Sequence, residues 1–500
     1  MAHPESQATF DRPRLRHAPR VILAIDQGTT GTTCLVVDEE LRSVGRGYRE
    51  IRQHFPQPGW VEHDPEEIWQ SVLAAAEDAL EQARVSAGEL SAIGITNQRE
   101  TTVVWDRRTG RPLHRAIVWQ DRRTAERCRE LPRDLIRTRT GLVPDPYFSA
   151  TKLEWILQRS NQPQRDLAFG TVDSWLVWRL TEGAVHVVDV TNASRTLLFG
   201  LDELDWDDEL LELFGVDRAL LPHVVRSSGV AGEARLFGAA VPIAGIAGDQ
   251  QAALFGHGCF SRGQAKATYG TGSFVLVNVG DSPEAPPDGL LRTVAAVAPG
   301  APAQFALEGA VLVAGAAVQW LRDGLGLIAD AGETEALARE VESTDGVFFV
   351  PALAGLGSPH WDPDARGLLC GLTRGTTRAH LVRATLEAIA FQVADVLDAY
   401  PGSVGVLRAD GGAAANRFLM QFQADLLGCP VEVAADPDMT ALGAAALAGM
   451  AVGAWPDLDA LRRRIRPGAR YEPAMSRDEA ESRKDEWRGA LRRALSRAPA

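Results

Sequence analysis

Cysteine and lysine are scarce in this 500-residue chain. The five cysteines, Cys34, Cys128, Cys259, Cys370 and Cys429, are scattered, odd in number and nowhere spaced as C-x-x-C. That argues against a disulfide framework or a zinc site and predicts a reducing, cytoplasmic setting. The lysines are Lys152, Lys266 and Lys484, and none follows a glycine. The Gly-Lys-Ser/Thr core of a P-loop is therefore missing, which excludes a Walker-type nucleotide site. No apolar run is long enough to span a bilayer. Residues 1–20 lack the apolar centre of a signal peptide and read as a disordered leader. Positive charge is also short, since 52 Lys and Arg face 66 Asp and Glu for a net charge of −14. A long anionic polymer such as nucleic acid is thus a poor partner. A small anionic ligand stays open, because backbone amides and a few arginines can hold it locally.

What the chain does have is the make-up of a soluble globular protein, 45% apolar and 24% charged. Its length predicts two large domains or more. Val21 to Ile25 is a short apolar run that ends in Asp26-Gln-Gly-Thr-Thr30, and a second β-prone run follows at Cys34 to Val37. Asp64-Pro-Glu-Glu67 opens a helix, with Asp64 as N-cap, Pro65 at the first helical position and Glu67 completing a capping box. Ser91 to Ile95 reads as a buried strand ending in Thr96-Asn-Gln-Arg-Glu100. Strands alternating with helices predict an α/β fold. The opening recurs half a chain later, where Ala265 to Tyr269 leads into Gly270-Thr-Gly272 and a strand from Phe274 to Asn278. Two such openings predict two related domains, 21–262 and 263–500, facing a shared cleft. Thr377 to Leu397 reads as a core helix. The segment from Ser476 onward reads as a charged, solvated helix.

Several turns could carry chemistry. Asp26 to Thr30 presents successive N–H groups and the Thr29 and Thr30 hydroxyls, which suit phosphate oxygens. Asp26 stands where it could hold Mg²⁺ through water. An ordinary hairpin turn uses the same residues. Gly270-Thr-Gly272 is a second such turn. Asp410-Gly-Gly-Ala-Ala-Ala-Asn416, after a strand from Ser403 to Leu407, lets backbone approach a flat ligand. Asp249 starts a helix, where it is either an N-cap or a general base for an alcohol. Arg99-Glu100 is either a weak surface pair or a donor-and-acceptor set for vicinal hydroxyls at a strand end. Trp119 and Phe274 could wall the C–H face of a small polyol, although such residues more often pack a core.

Together the stretches AIDQGTT, GITNQRETTVVWD, AIVWQDRRT, VTNASRTLLF, GIAGDQQAALFG, YGTGSF, LEGAVLVAGAAVQWLRD, RADGGAAANRFLMQFQADLLG and TALGAAALAG resemble the FGGY carbohydrate kinases. That family is part of the sugar kinase–actin–Hsp70 superfamily. The match runs in family order over residues 21–455, and TNQRET and GDQQAALFG point to members that phosphorylate glycerol. The resemblance implies two ribonuclease-H-like domains closing over a cleft, a homodimer or homotetramer, and transfer of phosphate from ATP to glycerol, the first step of glycerol utilisation. It implies that glycerol is held by Arg99, Glu100, Tyr147, Asp249 and Gln250 against Trp119 and Phe274, with Asp249 as base. Asp26 would place the Mg²⁺ of MgATP. Thr29, Thr30 and Thr271 would meet the phosphates, with Gly31 and Thr33 in the same loop, and Gly315, Gln319, Gly412 and Asn416 would line the nucleoside site. The first loop departs from the common DQGTTSSR pattern and reads DQGTTGTT, so Gly31 lacks a hydroxyl and Thr33 replaces an arginine. The glycine-rich fructose 1,6-bisphosphate loop of some members is absent from residues 232–242. Two other readings stay open on the same fold: a kinase for a pentulose or larger polyol, and a binding protein without catalysis.

Overall fold

The computed structural model describes residues 20–281 and 285–496. The predicted leader, apart from Arg20, lies outside the described residues.

Alternating apolar side chains build the first sheet. Its strands are β1 (Val21–Gln27), β2 (Gly31–Val37), β3 (Ser43–Glu50), β4 (Leu90–Asn97), β5 (Ser228–Leu236) and β6 (Ala239–Gly248), in the order β5-β6-β4-β1-β2-β3. β1, β2 and β3 run antiparallel, whereas β4 and β6 run parallel to β1. Successive side chains of a strand face opposite ways. Leu23, Ile25, Cys34 and Val36 therefore pack with Ile68, Val72 and Ala76 of helix α1 (Pro65–Ala83). Ile22, Ala24, Leu35 and Val37 meet the other layer. That layer holds α2 (Asp249–Gly256) and a helix from far along the chain, α6 (Met439–Ala451). α6 can lie close because it is rich in Ala and Gly: a Cβ on Gly443 would stand 1.9 Å from the Ala252 carbonyl oxygen. The first half of the fold is thus completed by the second.

The second sheet repeats the plan. It consists of β7 (Ala265–Tyr269), β8 (Ser273–Gly280), β9 (Leu291–Ala295), β10 (Gln304–Val311), β11 (Leu407–Asp410), β12 (Val431–Ala434) and β13 (Pro467–Tyr471). The order is β9-β10-β8-β7-β11-β12-β13. β7, β8 and β10 form the antiparallel part, and β11 and β12 run parallel to β7. Helices α3 (Gly315–Asp323), α4 (Arg378–Asp398) and α5 (Arg417–Leu427) accompany it. The parallel strands of each sheet end at its ligand crevice, the usual place for a site in an open α/β sheet.

Three local expectations are corrected. No capping box forms at α1: Asp64 accepts from the Glu66 amide at 2.9 Å, while Glu67 faces His54 at 4.0 Å. The strand before the third glycine turn spans Leu407–Asp410 instead of starting at Ser403. The C-terminal helix α7 (Arg477–Ala494) is amphipathic and docked, not simply solvated. Its Trp487 is fully buried and stacks on Phe391 at 5.2 Å, and Lys484 pairs with Asp398 at 2.9 Å.

Candidate active site

Backbone geometry at the strand ends sets the site. After β1 the chain turns sharply, with the Gly28 amide donating to the Gly31 carbonyl at 2.9 Å. This leaves Thr29 toward the cleft, where its Oγ1 accepts from Trp119 Nε1 at 2.9 Å. After β4 the buried run Gln98-Arg-Glu-Thr101 continues, and Glu100 adopts φ +60. A left-handed glutamate carries strain of about 1–2 kcal/mol and persists only where its surroundings hold it.

Those surroundings are ionic. Arg99 grips Glu308 of β10 with both terminal nitrogens, at 2.6 and 3.0 Å. Arg195 bridges Glu100 at 2.7 Å and Glu308 at 2.9 Å. All four side chains are buried, with two charges of each sign. Burial would raise the Glu308 pKa, but Arg195 and Arg99 overcome it and hold the carboxyl at about 2. At Glu100 burial wins over Arg99 and Arg195, and its pKa rises. Bidentate Arg–carboxylate pairs fix geometry as well as charge. Here they tie a strand of the second sheet to residues that follow the first.

This frame aims Arg99 at its neighbours. Arg99 Nε reaches Asp249 Oδ1 at 3.1 Å, and Nη2 reaches the Tyr147 hydroxyl at 3.3 Å. Asp249 is the first residue of α2, after the cap Gly248, so it is not the N-cap. Its Oδ1 also accepts from the Gln250 amide at 2.7 Å, and its side chain stays 30% exposed to the cleft. Trp119 stands edge-on to Tyr147 at 5.6 Å and to Phe274 at 6.2 Å. A cavity of about 180 Å³ results, lined by Thr29, Arg99, Glu100, Trp119, Tyr147, Asp249, Gln250, Thr268, Thr271 and Phe274. All seven residues expected to contact an acceptor line this one space.

Gly270 and Thr271 line a second cavity as well, of about 490 Å³, together with Gly315, Gln319, Gly412 and Asn416. The N-terminus of α3 rests on the β7–β8 turn, with the Gly315 amide donating to the Gly270 carbonyl at 2.9 Å. A Cβ on Gly315 would come within 2.6 Å of that oxygen. Gly411 has φ +88, and a Cβ there would meet the Tyr269 carbonyl at 2.6 Å, so both positions need glycine. Asn416 has a structural duty too, since it caps α5 through the Leu419 amide at 3.0 Å.

Asp26 at the end of β1 is pushed up to about 8, by burial first and then by Asp249, Asp438 and Asp410. Of these, Asp410 is taken by His257 and Asp438 by Arg46, which leaves Asp26 and Asp249 as the acidic groups open to a divalent cation. Among the described residues no three His, Cys, Asp or Glu converge as a direct cage. Such a set fits an ion that keeps much of its water.

Four predicted loop residues, Asp26, Thr30, Gly31 and Thr33, line neither cavity. Thr30 is exposed. Gly31 is buried under β3, where a Cβ would meet the Arg49 carbonyl at 2.6 Å and the Tyr48 hydroxyl at 2.7 Å. Thr33 lies within β2, paired with Asp26 across β1. In this structure Tyr48 occupies the space beside Gly31 that a side chain there would take. Sequence reasoning also missed Glu308, Arg195 and Lys266. A lone glutamate in the apolar run Phe305-Ala-Leu-Glu-Gly-Ala-Val311 is the one signal that could have found Glu308.

Two repeated sheets flanking a cleft, with glycine turns from each, define a carbohydrate kinase of the two-domain type. The sequence profile of the FGGY carbohydrate kinase N-terminal domain matches residues 21–256, and that of the C-terminal domain matches residues 265–452. The chain belongs to the FGGY family of carbohydrate kinases. It is 54% identical over 95% of its length to a glycerol kinase of Bordetella parapertussis, covering 97% of that protein. It is 52% identical to glycerol kinase 2 of Thermotoga maritima, covering 95% of this chain and 99% of the other. Among solved structures, a Plasmodium falciparum glycerol kinase with ADP superposes with TM-score 0.89 at 36% identity, covering 96% and 99% of the two chains. A xylulose kinase of Rhodospirillum rubrum gives 0.81 at 26%, covering 95% and 98%.

Proposed function

We propose that this enzyme phosphorylates glycerol with MgATP, giving ADP and sn-glycerol 3-phosphate. One observation carries the reading: Arg99, Glu100, Trp119, Tyr147, Asp249, Gln250 and Phe274 surround one small cavity that meets the glycine turn Gly270-Thr-Gly272. The cavity, about 180 Å³, has room for a three-carbon polyol. The relatives named glycerol kinase support the same acceptor.

In this reading the aromatic trio takes the C–H face of the polyol, while Arg99 and Glu100 take its hydroxyls. Asp249 accepts the proton of the reacting hydroxyl as its oxygen bonds to the terminal phosphorus and the bond from that phosphorus to ADP breaks. Arg99 Nε and the Gln250 amide both bind Oδ1, which orients Oδ2 toward the acceptor. Thr271 meets the phosphates, and the larger cavity takes the nucleoside. Asp26 would hold magnesium through water, and the ion would neutralise charge on the transferring phosphoryl group. No helix among the described residues is long and apolar enough to cross a membrane, and the reaction is read as cytoplasmic.

The test is ADP release, coupled to a spectroscopic readout, with glycerol, dihydroxyacetone, xylulose and ribulose. Glycerol is expected to give the highest kcat/KM. Faster turnover of xylulose would move the enzyme to the pentulose kinases, and no glycerol-dependent ADP release would refute the reading.

A further inference from the structure

Lysine is rare in this chain, and each of the three is buried. Lys266, the second residue of β7, has no exposed surface, yet its ammonium touches two residues that line the acceptor cavity. Its Nζ donates to Gln250 Oε1 and, at 2.8 Å, to Thr268 Oγ1. Gln250 and Thr268 both line the acceptor cavity. Asp410 and Asp249 balance the buried charge, and His257 stands against Asp410 at 3.1 Å.

We propose that Lys266 is a positioning residue that sets the polarity of the acceptor pocket, by holding the Gln250 amide with its oxygen inward and its N–H groups toward the polyol. The proposal rests on the glycerol reading. A carboxamide looks nearly symmetric, and its two ends can exchange by a half-turn. An ammonium removes that freedom, because it donates and cannot accept. The oxygen must face Lys266, so Nε2 must face away. Among the described residues Nε2 has no protein acceptor, which leaves it to a hydroxyl oxygen in the cavity. Gln250 then supplies a donor, and Asp249 and Glu100 supply acceptors, so that a polyol hydroxyl finds one of each. Burial draws the Lys266 pKa down to about 8, still above neutral.

Methionine at 266 keeps the length and removes the donor. Lys266→Met is expected to raise the glycerol KM about tenfold, as for one hydrogen bond lost in a buried site, with the MgATP KM changed less than about twofold. In a Gln250→Ala background the same change should add less than about twofold, because the amide it acts on is gone. Lys266→Arg, which still donates, should recover part of the loss. Gln250→Glu offers Lys266 its acceptor but has no N–H, so its glycerol KM should match that of Gln250→Ala while its thermal midpoint stays at the wild-type value. Multiplying effects of the two sites, or a wild-type glycerol KM in Gln250→Glu, would overturn the proposal. If Lys266→Met does not fold, Lys266→Arg measured in the wild-type and Gln250→Ala backgrounds carries the same test of coupling. Wild-type enzyme without glycerol-dependent ADP release would overturn both the glycerol reading and this inference, whereas an active wild type with uncoupled variants removes only the role of Lys266.

Discussion

Replacing Glu308 by glutamine tests the ionic frame beneath the site. Glutamine has nearly the shape of protonated glutamate, so the variant imitates the wild type with that one carboxyl neutralised. The carboxyl titrates at about 2 in the fold against an ordinary value of 4.5. That gap is roughly 2.5 units, or about 3 kcal/mol at 1.36 kcal/mol per unit. The sign follows from the direction. A depressed folded pKa means that the unfolded chain binds the proton first, so the contribution is whole above 4.5 and fades as the pH falls toward about 2. Glu308→Gln should therefore be less stable than wild type by about 3 kcal/mol near neutrality, and the difference should shrink steadily below about pH 4.5. Truncating one partner of a buried ion pair commonly costs 3–5 kcal/mol, an independent figure of the same size. Urea unfolding followed by tryptophan fluorescence at a series of pH values reads both quantities. Two parallel stability curves, separated equally at every pH, would refute the reasoning, because the loss would then be one of packing alone.

Asp26 is expected to behave in the opposite sense. Its folded pKa of about 8 lies above the ordinary 3.8, so the ligand-free protein should lose stability as pH rises between those values, and Asp26→Asn should flatten that decline in thermal melts. Asp249→Asn should lower kcat by about 10²–10⁴ with a glycerol KM within a few-fold of wild type, measured by steady-state ADP release; full turnover would remove Asp249 from the role of base. Gly31→Ser should destabilise by about 1–3 kcal/mol in urea, because the new side chain meets Tyr48 and the Arg49 carbonyl, and should leave the MgATP KM unchanged.

Local signals in the chain were enough for much of the fold and the site. Apolar runs marked β1, β4, β7 and β8, and the repeated opening of strand, glycine turn and strand announced two matching sheets. Arg99, Glu100 and Asp249 stood out as polar groups at the ends of apolar strands, whereas Tyr147 and Gln250 entered only through the family resemblance. What escaped was long-range. Arg195 and Glu308 lie 113 residues apart and gain meaning only when β10 is set beside Glu100. Tyr48 occupies the space beside Gly31 from a neighbouring strand, which no reading of the loop alone could show. α6 belongs to the first sheet although it follows almost everything else in the chain, because its small residues fit where bulkier helices could not. Trp487 was hidden in a segment dominated by charge, whose one apolar stripe does the docking.

The buried lysines also bear on how the molecule can be watched in solution. Reagents that acylate primary amines need an uncharged, reachable nitrogen. The folded protein keeps Lys152 and Lys266 wholly out of solvent and Lys484 almost so. Adducts at 266, mapped by mass spectrometry, would therefore record excursions in which the acceptor pocket parts, those at 152 the opening of the segment around Tyr147 and Phe148, and those at 484 the lifting of the last helix. Their rates in the presence and absence of nucleotide would form a clock for opening, written by the protein's own few amines.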